Sequence, residues 1–81
     1  MAADVDIMTV VVETIVDILD LDDGSMISES TTAKDVRGWD SLHHVRIMLS
    51  LEKKFNFRWT DSEISSVEKV GDIVSIIARK L

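Results

Sequence analysis

The chain has 81 residues, 46% of them hydrophobic, with a net charge of −6 and no cysteine. That length excludes two separate cores, and the apolar content excludes a disordered segment despite the charge, so one domain spanning residues 1–81 is expected. The absence of cysteine excludes a disulfide framework and any thiolate metal or redox site, the negative balance argues against general nucleic-acid binding, and neither a basic leader nor a membrane-length apolar run is present, so a cytoplasmic protein is expected.

From Val5 to Leu21, Val5, Met8, Val12, Ile15, Val16 and Leu19 recur at spacings of three and four. This predicts one face of an amphipathic helix. Asp6, Thr9, Glu13, Asp17 and Asp20 recur on the other side, as a solvated acidic face. Asp22-Asp23-Gly24 reads as the stop, with Gly24 suited to a left-handed C′ position. Residues 1–33 carry eight acids and no Lys or Arg, whereas residues 34–81 carry nine basic residues and seven acids, so the first part is −8 and the rest +2.

Residues 25–40 hold Ser25, Ser28, Ser30, Thr31, Thr32 and Gly38 with little apolar periodicity, which predicts a loop with one short turn near Thr32–Asp35. Ile27 and Val36 are expected to pin it to the core. A loop this long in so small a chain is unusual unless it serves a site. It leads into Trp39-Asp40-Ser41-Leu42, where Asp40 or Ser41 is expected at the N-cap of a helix over residues 41–55. Free backbone N–H groups and the positive end of the helix dipole favour an anion at that point.

At about 100° per residue, His44, Ile47, Met48, Leu51 and Phe55 form the predicted core face of this second helix. Leu42, Val45 and Leu49 fall on nearly the opposite side, flanked by Arg46 and Lys53. A helix in so small a domain has no second core to bury them in, so the strip is expected to be partly exposed, unless loop 25–40 covers it. Exposed apolar strips rimmed by charge mark docking sites.

Phe57-Arg58-Trp59 alternates like a strand without a partner and reads as an extended loop with Phe57 and Trp59 packed inward. Thr60 and Glu63 have the spacing of a capping box, which opens a short third helix to about Ser66. Val67 and Val70 are expected in the core. Gly71-Asp72 begins the last helix, with a stripe of Val70, Ile73, Val74, Ile77 and Leu81 and with Arg79 and Lys80 at its negative end.

The Trp39-Asp40-Ser41-Leu42 segment after Gly38 resembles the attachment site of the acyl carrier protein family. The acidic first helix, the long loop, Leu51-Glu52-Lys53-Lys54-Phe55 and Val70-Gly71-Asp72-Ile73-Val74 fall at the family's offsets, so the likeness runs from about Val5 to Leu81. It implies an all-α four-helix bundle of the acyl-carrier type, with three main helices, a short third helix and a long loop between helices one and two. It also implies 4′-phosphopantetheine on Ser41, placed there from coenzyme A by a phosphopantetheinyl transferase, with Asp40 helping that enzyme recognise the serine. The arm's thiol then carries acyl groups as thioesters between partner enzymes, and the chain itself catalyses nothing.

One departure bears on partners. Carriers of primary fatty acid synthesis present a second helix dominated by acids, whereas residues 41–60 here carry Arg46, Lys53, Lys54 and Arg58 against Glu52 alone, a local charge of +3. Like charges slow association with a basic enzyme. A specialised fatty acid, polyketide or related carrier is therefore expected, served by loading and processing enzymes with acidic or neutral docking surfaces that meet Leu42, Val45, Arg46, Leu49 and Lys53. Two alternatives stand beside it: an aminoacyl or peptidyl carrier of a nonribosomal-type pathway, and an unmodified helical interaction module that uses the same strip. Asp40 before Ser41 favours the acyl reading.

Other chemistry is not expected. His43 and His44 are adjacent, so they diverge by about 100° on a helix and make a poor chelating pair. Ser41 and His44 are three apart like a nucleophile and base, but no acid is placed to orient the histidine and no oxyanion hole is implied. Trp39 has two open roles, as a guard of the arm or as a core anchor. The chain, from Met1 to just past the last helix, looks free-standing and monomeric.

Overall fold

In the computed structural model the backbone is described for residues 3–81 and side chains from Ile7 onward, so the expectations placed on Val5 and Asp6 lie outside the described side chains. Among the described residues there are four α-helices: α1 (Ala3–Leu19), α2 (Ser41–Phe55), α3 (Asp61–Ser66) and α4 (Val70–Lys80). A 3-10 turn at Ala33–Asp35 interrupts the long loop between α1 and α2. The acyl-carrier bundle implied by the sequence is thus present, with the short third helix and the long first loop in place.

The core is aliphatic and is shared by the three long helices. Ile7, Val11 and Ile15 of α1, Ile47, Met48 and Leu51 of α2, and Val70, Ile73, Ile76 and Ile77 of α4 are buried. α1 packs against both α2 and α4. Its inward face is rotated from the predicted stripe: Ile7, Val11, Thr14 and Ile15 are buried, whereas Met8, Val12, Val16 and Leu19 are only half-buried. Apolar residues occupy most of the circumference of α1, so their period fits several arcs, and the neighbouring elements choose among them. Thr14, which no apolar count includes, lies inside because both capacities of its hydroxyl are used. It donates to the Val10 carbonyl at 2.7 Å and accepts from Lys54 Nζ at 2.7 Å.

α1 ends earlier than expected. Asp20, not Gly24, takes the left-handed conformation, with φ of 56°, and the Leu21 N–H closes back on the Val16 carbonyl. Asn56 ends α2 in the same way, with Phe57 N–H on the Glu52 carbonyl. Asp and Asn tolerate this region better than other side-chain-bearing residues. Gly24 serves packing instead, since a Cβ there would collide with the Val12 side chain.

The loop is tied to the start of α4. Val70 N–H donates to the Thr31 carbonyl at 2.9 Å and Gly71 N–H to the Glu29 carbonyl at 2.8 Å, while Thr32 and Lys69 form an isolated antiparallel bridge. Ile27 and Val36 pack against the core as expected. After α2, Trp59 is buried, donating its indole N–H to the Met48 carbonyl at 2.9 Å and meeting Phe57 edge-on at 4.9 Å. The Thr60/Glu63 capping box opens α3, and Glu63 also pairs with Lys80 at 3.0 Å. In α4 the buried stripe includes Ile76, which the predicted pattern omitted, and excludes Leu81, which lies beyond the helix and is exposed.

The helix starts and turns hold a set of carboxylates: Asp23, Asp35, Asp40, Glu63 and Asp72 each accept from nearby backbone N–H or side-chain donors. Those bonds hold all five below the ordinary carboxylate range. A depressed folded-state value gives stability that is fully present above the unfolded-state value and lost as pH falls through the folded one. The melting temperature followed by circular dichroism should therefore fall as pH drops below about 4. A melting temperature that stayed level from pH 5 to pH 2 would contradict this.

Candidate functional site

The start of α2 separates two tasks that one serine could have combined. Asp40, in extended conformation, is the N-cap: its Oδ1 accepts from the His43 N–H at 2.9 Å and its carbonyl from the His44 N–H at 2.8 Å. Ser41 follows as the first helical residue, exposed, with a hydroxyl that takes part in no hydrogen bond among the described residues. The Ser41 and Leu42 N–H groups, the first two of the helix, also have no partner among the described residues. An unengaged hydroxyl beside free N–H donors at the positive end of a helix fits a phosphodiester. Gly38, with φ of 88°, turns the chain into this position, and no neighbour lies within contact of the space a Cβ would occupy there. The constraint at Gly38 is thus conformational and not steric.

The two histidines are held in opposite arrangements. Asp40 Oδ1 lies 2.7 Å from His43 Nδ1, so that nitrogen carries a proton and donates. The bonds from the His43 backbone N–H and then from its ring keep the Asp40 carboxyl low and charged. Trp39 Nε1–H, which can only donate, points at His44 Nδ1 at 3.1 Å. That nitrogen is therefore bare, and the neutral ring carries its proton on Nε2. The indole and imidazole also stack, with centroids 6.1 Å apart and planes at 29°. Trp39 is 8% exposed, which settles its role as a core anchor.

Ser41 opens onto a cleft of about 600 Å³ between α2 and α3, lined by His44 and Val45 on one side and by Ile64 and Val67 on the other. On the outer face of α2, Leu42, Val45 and Leu49 are 58%, 46% and 52% exposed. Loop 25–40 therefore does not cover them. Arg46 and Lys53 are exposed beside this strip and pair with no carboxylate among the described residues. His44 and Phe55, predicted for the core face, are half-buried at its edges. No group of three or more metal-ligating side chains occurs among the described residues, and no helix of the described chain is long and apolar enough to cross a membrane.

A helical bundle that presents an exposed, unengaged serine at a helix start, with neither neighbouring histidine hydrogen-bonded to its hydroxyl, has the design of a covalent carrier. Comparison with known sequences agrees. An acyl carrier protein of Porphyromonas gingivalis is 31% identical over 71 residues, 88% of this chain and 90% of the relative. One from Thermotoga maritima is 36% identical over 59 residues, 73% of each chain, and one from Wolinella succinogenes is 35% identical over 65 residues, 80% of this chain and 84% of the relative. No family model matches the chain. The chain belongs to the acyl carrier protein family. It is a carrier of acyl groups and not an enzyme, its cofactor is covalent 4′-phosphopantetheine, and a phosphopantetheinyl transferase and acyl-processing enzymes are its classes of partner. The peptidyl-carrier and unmodified-module alternatives are not favoured.

Proposed function

We propose that Ser41 is the residue that bears the arm, and that this protein is a specialised, monomeric carrier of the cytoplasm. The observation that carries the assignment is the division of labour at α2: Asp40 caps the helix, which leaves the Ser41 hydroxyl exposed and unengaged. Asp40, exposed and charged beside the serine, is the group a transferase reads first. The Ser41 and Leu42 N–H groups stabilise the phosphodiester once formed. When bound, the arm supplies a terminal thiol whose thioesters keep an acyl carbonyl electrophilic. Incubated with coenzyme A, Mg²⁺ and a broad-specificity transferase, the protein should gain the mass of one phosphopantetheinyl group, and no gain would overturn the assignment.

The apolar strip and its rim support the second half of the reading. Leu42, Val45 and Leu49 supply area, while Arg46 and Lys53, unpaired within the described fold, supply charge for a partner with acidic surroundings. A general malonyl transferase that docks acidic carriers through a basic patch should load this protein about tenfold or more slowly than it loads a carrier with an acidic second helix. Arg46→Glu with Lys53→Glu should recover much of the difference in kcat/KM. Equal rates on the unsubstituted protein would remove the case for specialisation.

A further inference from the structure

We propose that His44 is a positioning residue for the arm, donating its Nε2–H to a phosphodiester oxygen on Ser41. The proposal rests on Ser41 being the attachment point. Its own ground is the bond from Trp39: the indole N–H occupies His44 Nδ1 at 3.1 Å, and an indole cannot accept, so the neutral ring is locked with hydrogen on Nε2. The 29° stacking of the two rings fixes the imidazole plane as well. Nothing in the described protein accepts from that Nε2–H. The nitrogen is open to solvent, so a group outside the fold can reach it.

The direction is right for such a contact. His44 is three residues beyond Ser41 on the same helix, where Cβ atoms stand about 5–6 Å apart. Helical side chains lean toward the N-terminus, which carries the ring back over the turn that begins at Ser41. His44 and Ser41 line the same cleft. The anionic oxygens lie two bonds beyond Ser41 Oγ, through phosphorus, at the positive end of α2, so a donor from the side complements the free N–H groups below. His43 cannot substitute, because its ring is turned to Asp40 at 2.7 Å. Trp39, by this account, reaches the arm through His44.

Two near-isosteric replacements separate the roles of the ring. His44→Asn keeps an acceptor near the Nδ1 position for Trp39 but has no donor at Nε2, whereas His44→Gln places an N–H near Nε2 and loses the acceptor. Each protein is loaded from coenzyme A, its mass is recorded, and the phosphorus resonance of the phosphodiester and the imidazole nitrogen resonances are measured before and after loading. Loading should move the His44 Nε2 resonance in the unsubstituted protein. The phosphorus signal should be displaced in His44→Asn and return toward its original position in His44→Gln. If the mass shows loading while Nε2 does not move and His44→Asn leaves the phosphorus signal in place, the positioning role is wrong and the carrier assignment stands. If the mass does not change, the assignment of Ser41 fails and this role falls with it.

Discussion

Ser41→Ala should abolish the gain of mass from coenzyme A completely while leaving the melting temperature within about 2–4 °C of the unsubstituted protein. The two halves of this result have separate physical causes. Loading needs the hydroxyl oxygen as nucleophile, and alanine has none. Stability does not need it, because the cap of α2 is the Asp40 carboxylate and the serine hydroxyl bonds to nothing in the described protein. Asp40→Ala is the informative contrast. It removes the N-cap of α2 and the charge beside the serine, so it should lower the melting temperature and slow loading without preventing it. Mass spectrometry of the intact variants with thermal melts checks both. A mass gain that survived Ser41→Ala would place the modified residue elsewhere.

The second large effect concerns α2 as a helix with two apolar faces. Leu51 is fully buried and Leu49 is 52% exposed, two residues away on the other side. Leu51→Ala leaves a cavity in the buried core and should cost about 2–5 kcal/mol. A chain of this length has a total stability of about 4–12 kcal/mol, so a large part of it would be lost and urea unfolding should shift strongly. Leu49→Ala should change stability by no more than about 0.5 kcal/mol and instead weaken association with acyl-processing enzymes. A large fall in stability from Leu49→Ala would show that the outer strip belongs to the fold and not to a partner.

The second helix was largely legible because its sequence is economical: Ile47, Met48 and Leu51 share one arc, and only His44 and Phe55, at the edges of that arc, are less buried than the pattern predicts. The first was less so, since Ile7, Val10, Val11, Val12, Val16 and Ile18 surround it with apolar groups and the buried arc depends on what lies beside it. Gly24 read as a conformational residue because glycine usually is one at a helix end, yet its requirement is the space taken by Val12, which no local pattern contains. The Thr60 cap was readable from local spacing alone, whereas spacing narrowed the cap of α2 only to Asp40 or Ser41, and the bond from the His43 N–H selects Asp40. The opposite arrangements of His43 and His44 were not, because a tautomer is set by what stands against the ring, and Asp40 and Trp39 had first to be placed.

α3 has no fully buried residue and spans only Asp61–Ser66. It hangs between two firm anchorages, Trp59 against Met48 and Val70 against Thr31. What holds it in between is Ile64, partly buried against the core, together with an exposed capping box and the half-buried Glu63–Lys80 pair. Local opening begins where least apolar area is lost. The amides of this segment should therefore be among the first to exchange with solvent deuterium, well ahead of those in α2. Because α3 forms the far wall of the cleft beside Ser41, the expected early opening of this segment would widen that cleft while the three long helices stay closed.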